Sequence, residues 1–167
     1  MKKLILLLLM FAPLATFAQQ KFGHVDAQAI MQNMPEFIKA RGDLEAKSKE
    51  YENSLTQMQK EIQSESDKYE AAKSTMGATA QKETEAKIQG LIQKYQQAYQ
   101  DNQQALQKLQ QETMQPIMAK VMTAIKNVGK NGGYVYIMDV SAGIPYISET
   151  LSKDVTAEVK AELNKLK

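Results

Sequence analysis

The side chains that could do chemistry in this sequence are few and scattered. His24 is the only histidine and the chain has no cysteine, so no zinc or haem site can be assembled around it. Asp26 lies two residues further on, but acid–base catalysis by a carboxylate needs a second group held beside it. The sequence brings none, and Asp26 reads instead as the cap of a short helix carrying Ile30, Met31 and Met34. Met114, Met118 and Met122 recur every fourth residue, which places them on one helical face. That row suits an adaptable binding surface, and better still a core or a subunit interface. Gly132-Gly133 lacks the strand before and the helix after that a phosphate loop requires, so it is a connector. With no nucleophile beside a base, no paired carboxylates and no metal-ligand spacing, the expectation is a non-enzyme without cofactor or metal.

The elements around these residues are more informative. Lys2-Lys3, the apolar run from Leu4 to Ala12 and the small residues of Thr16-Phe17-Ala18 have the form of a secretory signal peptide over residues 1–18. Lys2 and Lys3 also account for the formal net charge of +2, so the exported chain is neutral and is not built to capture nucleic acid electrostatically. No later segment is apolar enough for membrane insertion. Export without cysteine suits a bacterial periplasm and rules out a disulfide framework.

Two heptad stripes dominate the middle of the chain. The outgoing one runs Phe37, Leu44, Tyr51, Leu55, Met58, Ile62, Tyr69, Met76; the returning one runs Ile88, Ile92, Tyr95, Tyr99, Leu106, Leu109. One antiparallel register joins Tyr51 to Leu106, Met58 to Tyr99, Ile62 to Tyr95 and Tyr69 to Ile88. Heptads leave that register open by sevens, and this choice sets the turn beside Gly77-Ala78-Thr79. The spacing predicts a helical-hairpin arm over residues 36–113 with its tip near 77–79. Asn33 is a plausible cap for the outgoing helix and Pro35 suits its first turn. The seam has expected flaws: Glu65 opposite Ile92, Asn102 opposite Leu55, Ser48 opposite Leu109, and Gly90 inside a helix, each costing about 1 kcal/mol. The returning arm is rich in glutamine at 96, 97, 100, 103, 104, 107, 110 and 111. A solvated helix face is the plain reading of that row, and hydrogen bonding to a client the sharper one.

The remaining residues, 19–35 and 114–167, form a small β-containing oligomerisation body. Strands are expected near 21–26, 134–140 and 144–148, the last two joined as a hairpin through Ser141-Ala142-Gly143, with Pro145 placing the third at an edge. Pro116 should kink or restart the helix where arm meets body. A final helix near 154–166 begins at Ser152 or Asp154 and closes with Lys165 and Lys167. Three short strands leave edges that one chain cannot cover. Phe22, Val25, Tyr134, Val135, Tyr136, Ile137, Met138, Ile144, Tyr146 and Ile147 are therefore the candidate assembly residues. The fold class is α+β, mainly α.

Four motifs in this order resemble the Skp/OmpH family of periplasmic chaperones: the Phe22-Gly-His-Val-Asp strand, the Met34-Pro-Glu start of a long helix, the Tyr134-to-Asp139 strand after a glycine pair, and the Asp154-Val-Thr start of the last helix. The resemblance implies a homotrimer with a shared strand body and three arms around a cavity. It further implies an ATP-independent holdase for unfolded outer-membrane proteins. Members are often strongly basic, whereas this chain is neutral; neither a lipopolysaccharide site nor strong electrostatic client capture is carried over. The rival expectation is a non-enzymatic cell-envelope scaffold or adaptor that recognises one folded partner. A peptidoglycan- or lipid-binding module has no aromatic cleft or basic patch to support it.

Overall fold

The computed structural model describes residues 20–166. The signal-peptide reading and Lys167 lie outside them. Strand β1 (Lys21–Val25) leads into helix α1 (Ala27–Gln32), and two long helices follow, α2 (Pro35–Ala72) and α3 (Ala78–Gly132). Strand β2 (Tyr134–Asp139), strand β3 (Ser152–Asp154) and helix α4 (Thr156–Leu163) complete the chain. Among the described residues, no helix is long and apolar enough to cross a membrane.

Local chemistry explains the boundaries. Asp26 caps α1 by accepting from the Ala29 amide at 2.7 Å. Asn33 does not cap α2; it closes α1, its side chain donating to the Ala29 carbonyl at 2.7 Å. Helix α2 instead starts from Met34 in an extended conformation with Pro35 in its first turn, where the missing N–H costs nothing. It ends in a short 3-10 turn at Lys73–Thr75, and Gly77 opens α3. The Gln81 side chain ties this turn together, donating to the Lys73 and Met76 carbonyls at 3.0 and 3.1 Å.

Pro116 does not interrupt α3, which runs unbroken for 55 residues. Proline removes one backbone bond, but the next turn is held by core packing, because Ile117, Val121 and Ala124 are buried. The helix stops at Gly133, whose left-handed conformation (φ 67°) costs a residue without Cβ little.

The sheet has the order β2-β1-β3, and β1 pairs in parallel with both neighbours. This corrects the expected third strand. Ile144, Tyr146 and Ile147 lie outside any strand, after a 3-10 turn at Val140–Ala142 and left-handed Gly143. Polar Ser152–Asp154 takes the edge position instead. It does so because the chain is anchored there: the Val155 amide donates to the His24 carbonyl at 2.9 Å and the His24 ring meets the Ser152 hydroxyl at 2.9 Å. Helix α4 is shorter than expected, and the Asp154 carboxylate accepts from its first amide, Thr156, at 2.8 Å.

One hydrophobic core lies under the sheet. Val25, Ile30, Val155 and Val159 are its largest fully buried side chains, and Ile117, Val121 and Ala124 bring α3 onto it.

Candidate functional site

Two surfaces follow from this framework: the flanks of the paired helices, and the outer face of the sheet. Along the helices, Tyr69 is buried, and Leu44, Tyr51, Leu55, Met58, Ile62, Ile88, Ile92, Tyr95, Leu106 and Leu109 are half-buried. Ile62, Ile92 and Tyr95 line one shared groove, and Leu44 with Leu106 line another. Polar groups close the same seam: the Gln59 amide donates to the Tyr95 hydroxyl at 2.8 Å, and the Tyr69 hydroxyl donates to Glu85.

Tyr99 departs from its expected seam position and is 47% exposed. Its half-buried neighbours three and four residues away on α3 are Asn102 and Tyr95. Glu65 also differs from expectation. Rather than a flaw opposite Ile92, it is a cross-helix clamp, paired with Lys87 of α3 and at 3.0 Å with Lys68 of its own helix. Those two ammonium groups hold its carboxyl below the usual carboxylate range. The hydrogen bond to Glu85 pushes the Tyr69 hydroxyl up to about 12. Sequence spacing missed the clamp because a heptad count assigns the position but not the reach of a lysine from the next turn.

At the root of the paired helices, Lys120 of α3 meets Glu36 of α2 at 2.8 Å. This bond lowers the Glu36 carboxyl. Beside it Met34, Ala40, Pro116 and Ile117 line a small cleft.

The sheet sorts the candidate assembly residues into two groups. Between Lys21 and Phe22 the register with β2 slips, so that Lys21 faces Tyr134 while Phe22 faces Tyr136. Val135 is the extra residue of this bulge, which puts Val135 and Tyr136 in solvent together. Tyr134 and Ile137 pack on the chain's own core, and Val25 is fully buried in it. Gly23 lets them close in, for a Cβ there would stand 3.1 Å from Ile137 and 3.2 Å from Tyr134. On the opposite face Phe22 and Tyr136 stack with ring centroids 4.8 Å apart. Val135, Tyr136 and Met138 are 58%, 49% and 44% exposed. Tyr146 and Leu151, in the segment before β3, and Met118 and Met122, on α3, are exposed as well. Met114, the first of the methionine row, instead packs against the core.

His24 is engaged by Ser152, and among the described residues no group of three or more His, Cys, Asp or Glu could hold a metal ion. The two surfaces present exposed apolar side chains, carboxamides and paired charges.

Comparison with known proteins agrees with this geometry. The sequence pattern described as outer membrane protein (OmpH-like) matches residues 21–163. No curated protein matches the chain. Among solved structures, the chain is similar to a crystal structure from Caulobacter crescentus CB15, provisionally assigned as an OmpH-like outer membrane chaperone, with a TM-score of 0.74. The two share 17% identity, and the match covers 89% of this chain and 86% of that one.

Proposed function

This chain belongs to the OmpH-like family of outer membrane proteins, and from that premise we propose that it is a periplasmic holdase chaperone. It takes up unfolded outer-membrane proteins after export, keeps them from aggregating and releases them for assembly without ATP. The observation that carries this reading is the unequal use of apolar surface. The paired helices spend their stripe on each other, whereas the outer sheet face leaves Val135, Tyr136 and Met138 uncovered.

An exposed apolar strand at a sheet edge is normally covered by a partner. We assign that cover to further copies of the chain, three in all, with Phe22, Val135, Tyr136 and Met138 meeting across the assembly. Val25, Tyr134 and Ile137 serve it indirectly, by fixing the strand that presents those residues. The arm comprises residues 36–113, and three such arms enclose the client. Their surfaces are polar with isolated Tyr and Met side chains, a soft contact that many unfolded sequences can use.

The test is aggregation of an outer-membrane β-barrel protein diluted from urea and followed by light scattering. Suppression near one trimer per client is expected. Unchanged scattering at several-fold excess would refute the holdase and favour an adaptor for a folded partner.

A further inference from the structure

The returning helix carries a second face that the seam does not use. With Gln89 and Gln93, its glutamines number ten between Ile88 and Gln111, against three charged residues, Lys94, Asp101 and Lys108. All ten are exposed. At about 100° per residue they fall within one arc of about 140°, centred well away from Ile88, Tyr95 and Leu106. Gln97 donates to Asp101 at 2.8 Å. Among the described residues none of the other nine side chains enters a hydrogen bond within the chain, so their carboxamides are available. The facing helix is different in kind: α2 carries ion pairs such as Lys39–Asp43 and Lys47–Glu50. Tyr99, half in solvent, adds an aromatic ring to the same helix.

A carboxamide offers two N–H donors and a carbonyl acceptor without net charge. An extended polypeptide presents the same groups, one N–H and one C=O per residue at about 3.3 Å intervals. Rows of glutamine recurring every seven residues are spaced by about 10.5 Å along a helix, close to three residues of extended chain. Matching dipoles rather than opposite charges is the complementarity on offer, and it is indifferent to client sequence. We propose that this carboxamide face binds the backbone of an unfolded polypeptide, a contact insensitive to salt. The proposal rests on the holdase reading and adds where, and by which groups, the client is held.

The test compares two full-length variants with the native protein. One replaces Gln96, Gln100, Gln103 and Gln107 with Ala, a better helix former at exposed positions. The control replaces exposed Glu45, Lys49, Glu52 and Lys60 of α2 with Ala, leaving net charge unchanged. Affinity for a urea-diluted outer-membrane β-barrel protein is read by fluorescence at about 50 and 500 mM salt, where surface charge pairs are weakly and strongly screened. Far-ultraviolet circular dichroism and solution mass check each fold. The glutamine variant is expected to bind about tenfold more weakly at both salt concentrations, with the control within twofold of native. If the native protein binds the client and the glutamine variant binds equally well, the carboxamide face is refuted while the holdase stands. If the native protein binds no unfolded client, the holdase fails and takes the face with it. Purified peptidoglycan strands serve as a second probe. A glutamine variant that loses glycan binding yet keeps its client affinity overturns the proposal.

Discussion

At the level of single residues, an ion pair and a hydrogen bond supplement the apolar seam near the arm tip, where Tyr69 is buried. Glu65 reaches Lys87 on the other helix, and the Tyr69 hydroxyl reaches Glu85. Because the Glu65 carboxyl is lowered by its lysines, its stabilising effect is present above the unfolded value of about 4.3. It is lost as pH falls through the lower folded value. Glu65→Gln should therefore melt earlier than native at pH 7, and the difference should shrink as pH drops below about 4. A constant difference in melting temperature down to pH 3 would remove the clamp from the account. Tyr69 behaves in the opposite sense: its protonated form is favoured, so its contribution is full below about 10 and fades toward about 12. Absorbance titration near 295 nm should show one of the seven tyrosines ionising late, and Tyr69→Phe should delete that late step. If the step missing from Tyr69→Phe instead ionises near 10, the hydrogen bond to Glu85 is not made in solution.

At the scale of elements, α2 and α3 owe their pairing to phase. Removing seven residues from each helix at matched positions should shorten the arm and keep its helix content. Removing six, Met58–Gln63 with Ile92–Gln97, shifts both stripes and should unravel the tip; equal loss of ellipticity in the two would contradict the seam. Gly42 and Gly90 offer a gentler probe. A Cβ at either meets nothing within 4 Å, so Gly→Ala should raise stability by about 0.5–1 kcal/mol, seen as a higher melting temperature by circular dichroism. The long helices were legible because Leu55, Ile62, Tyr69 and Met76 repeat every seven residues, as do Ile92, Tyr99 and Leu106 on the return, and such a signal accumulates with length. The sheet was legible only where propensity and pairing agree, at β1 and β2. Ile144–Ile147 has strand-like composition but no partner strand. Ser152–Asp154 has a poor composition but sits beside β1 by virtue of the Val155-to-His24 bond. Three residues of edge strand are chosen by tertiary position, which composition does not record. The continuity of α3 through Pro116 has the same origin, since packing beyond the proline outweighs one missing bond. The bulge at Val135 left a trace in neither periodicity nor charge.

At the scale of the whole molecule, the two faces of β2 predict different failures. Tyr136→Asp, on the outer face, should leave the helix signal intact and lower the solution mass to that of one chain. Ile137→Asp should damage the fold itself, because Ile137 packs on the chain's own core and an unpaired charge there costs several kcal/mol. Light scattering coupled to size exclusion, with circular dichroism on the same fractions, separates the two. An unchanged mass for Tyr136→Asp would place the subunit contact elsewhere. With a formal net charge of only +2 over the whole chain, client uptake is expected to depend little on ionic strength, in contrast to capture by a basic cavity. The measurement that bears most directly on the central claim is the mass of the complex formed when an unfolded outer-membrane β-barrel protein is diluted from urea into the native chaperone. The account predicts a discrete species of three chains and one client. It is contradicted if the client aggregates at its own rate while the protein elutes alone.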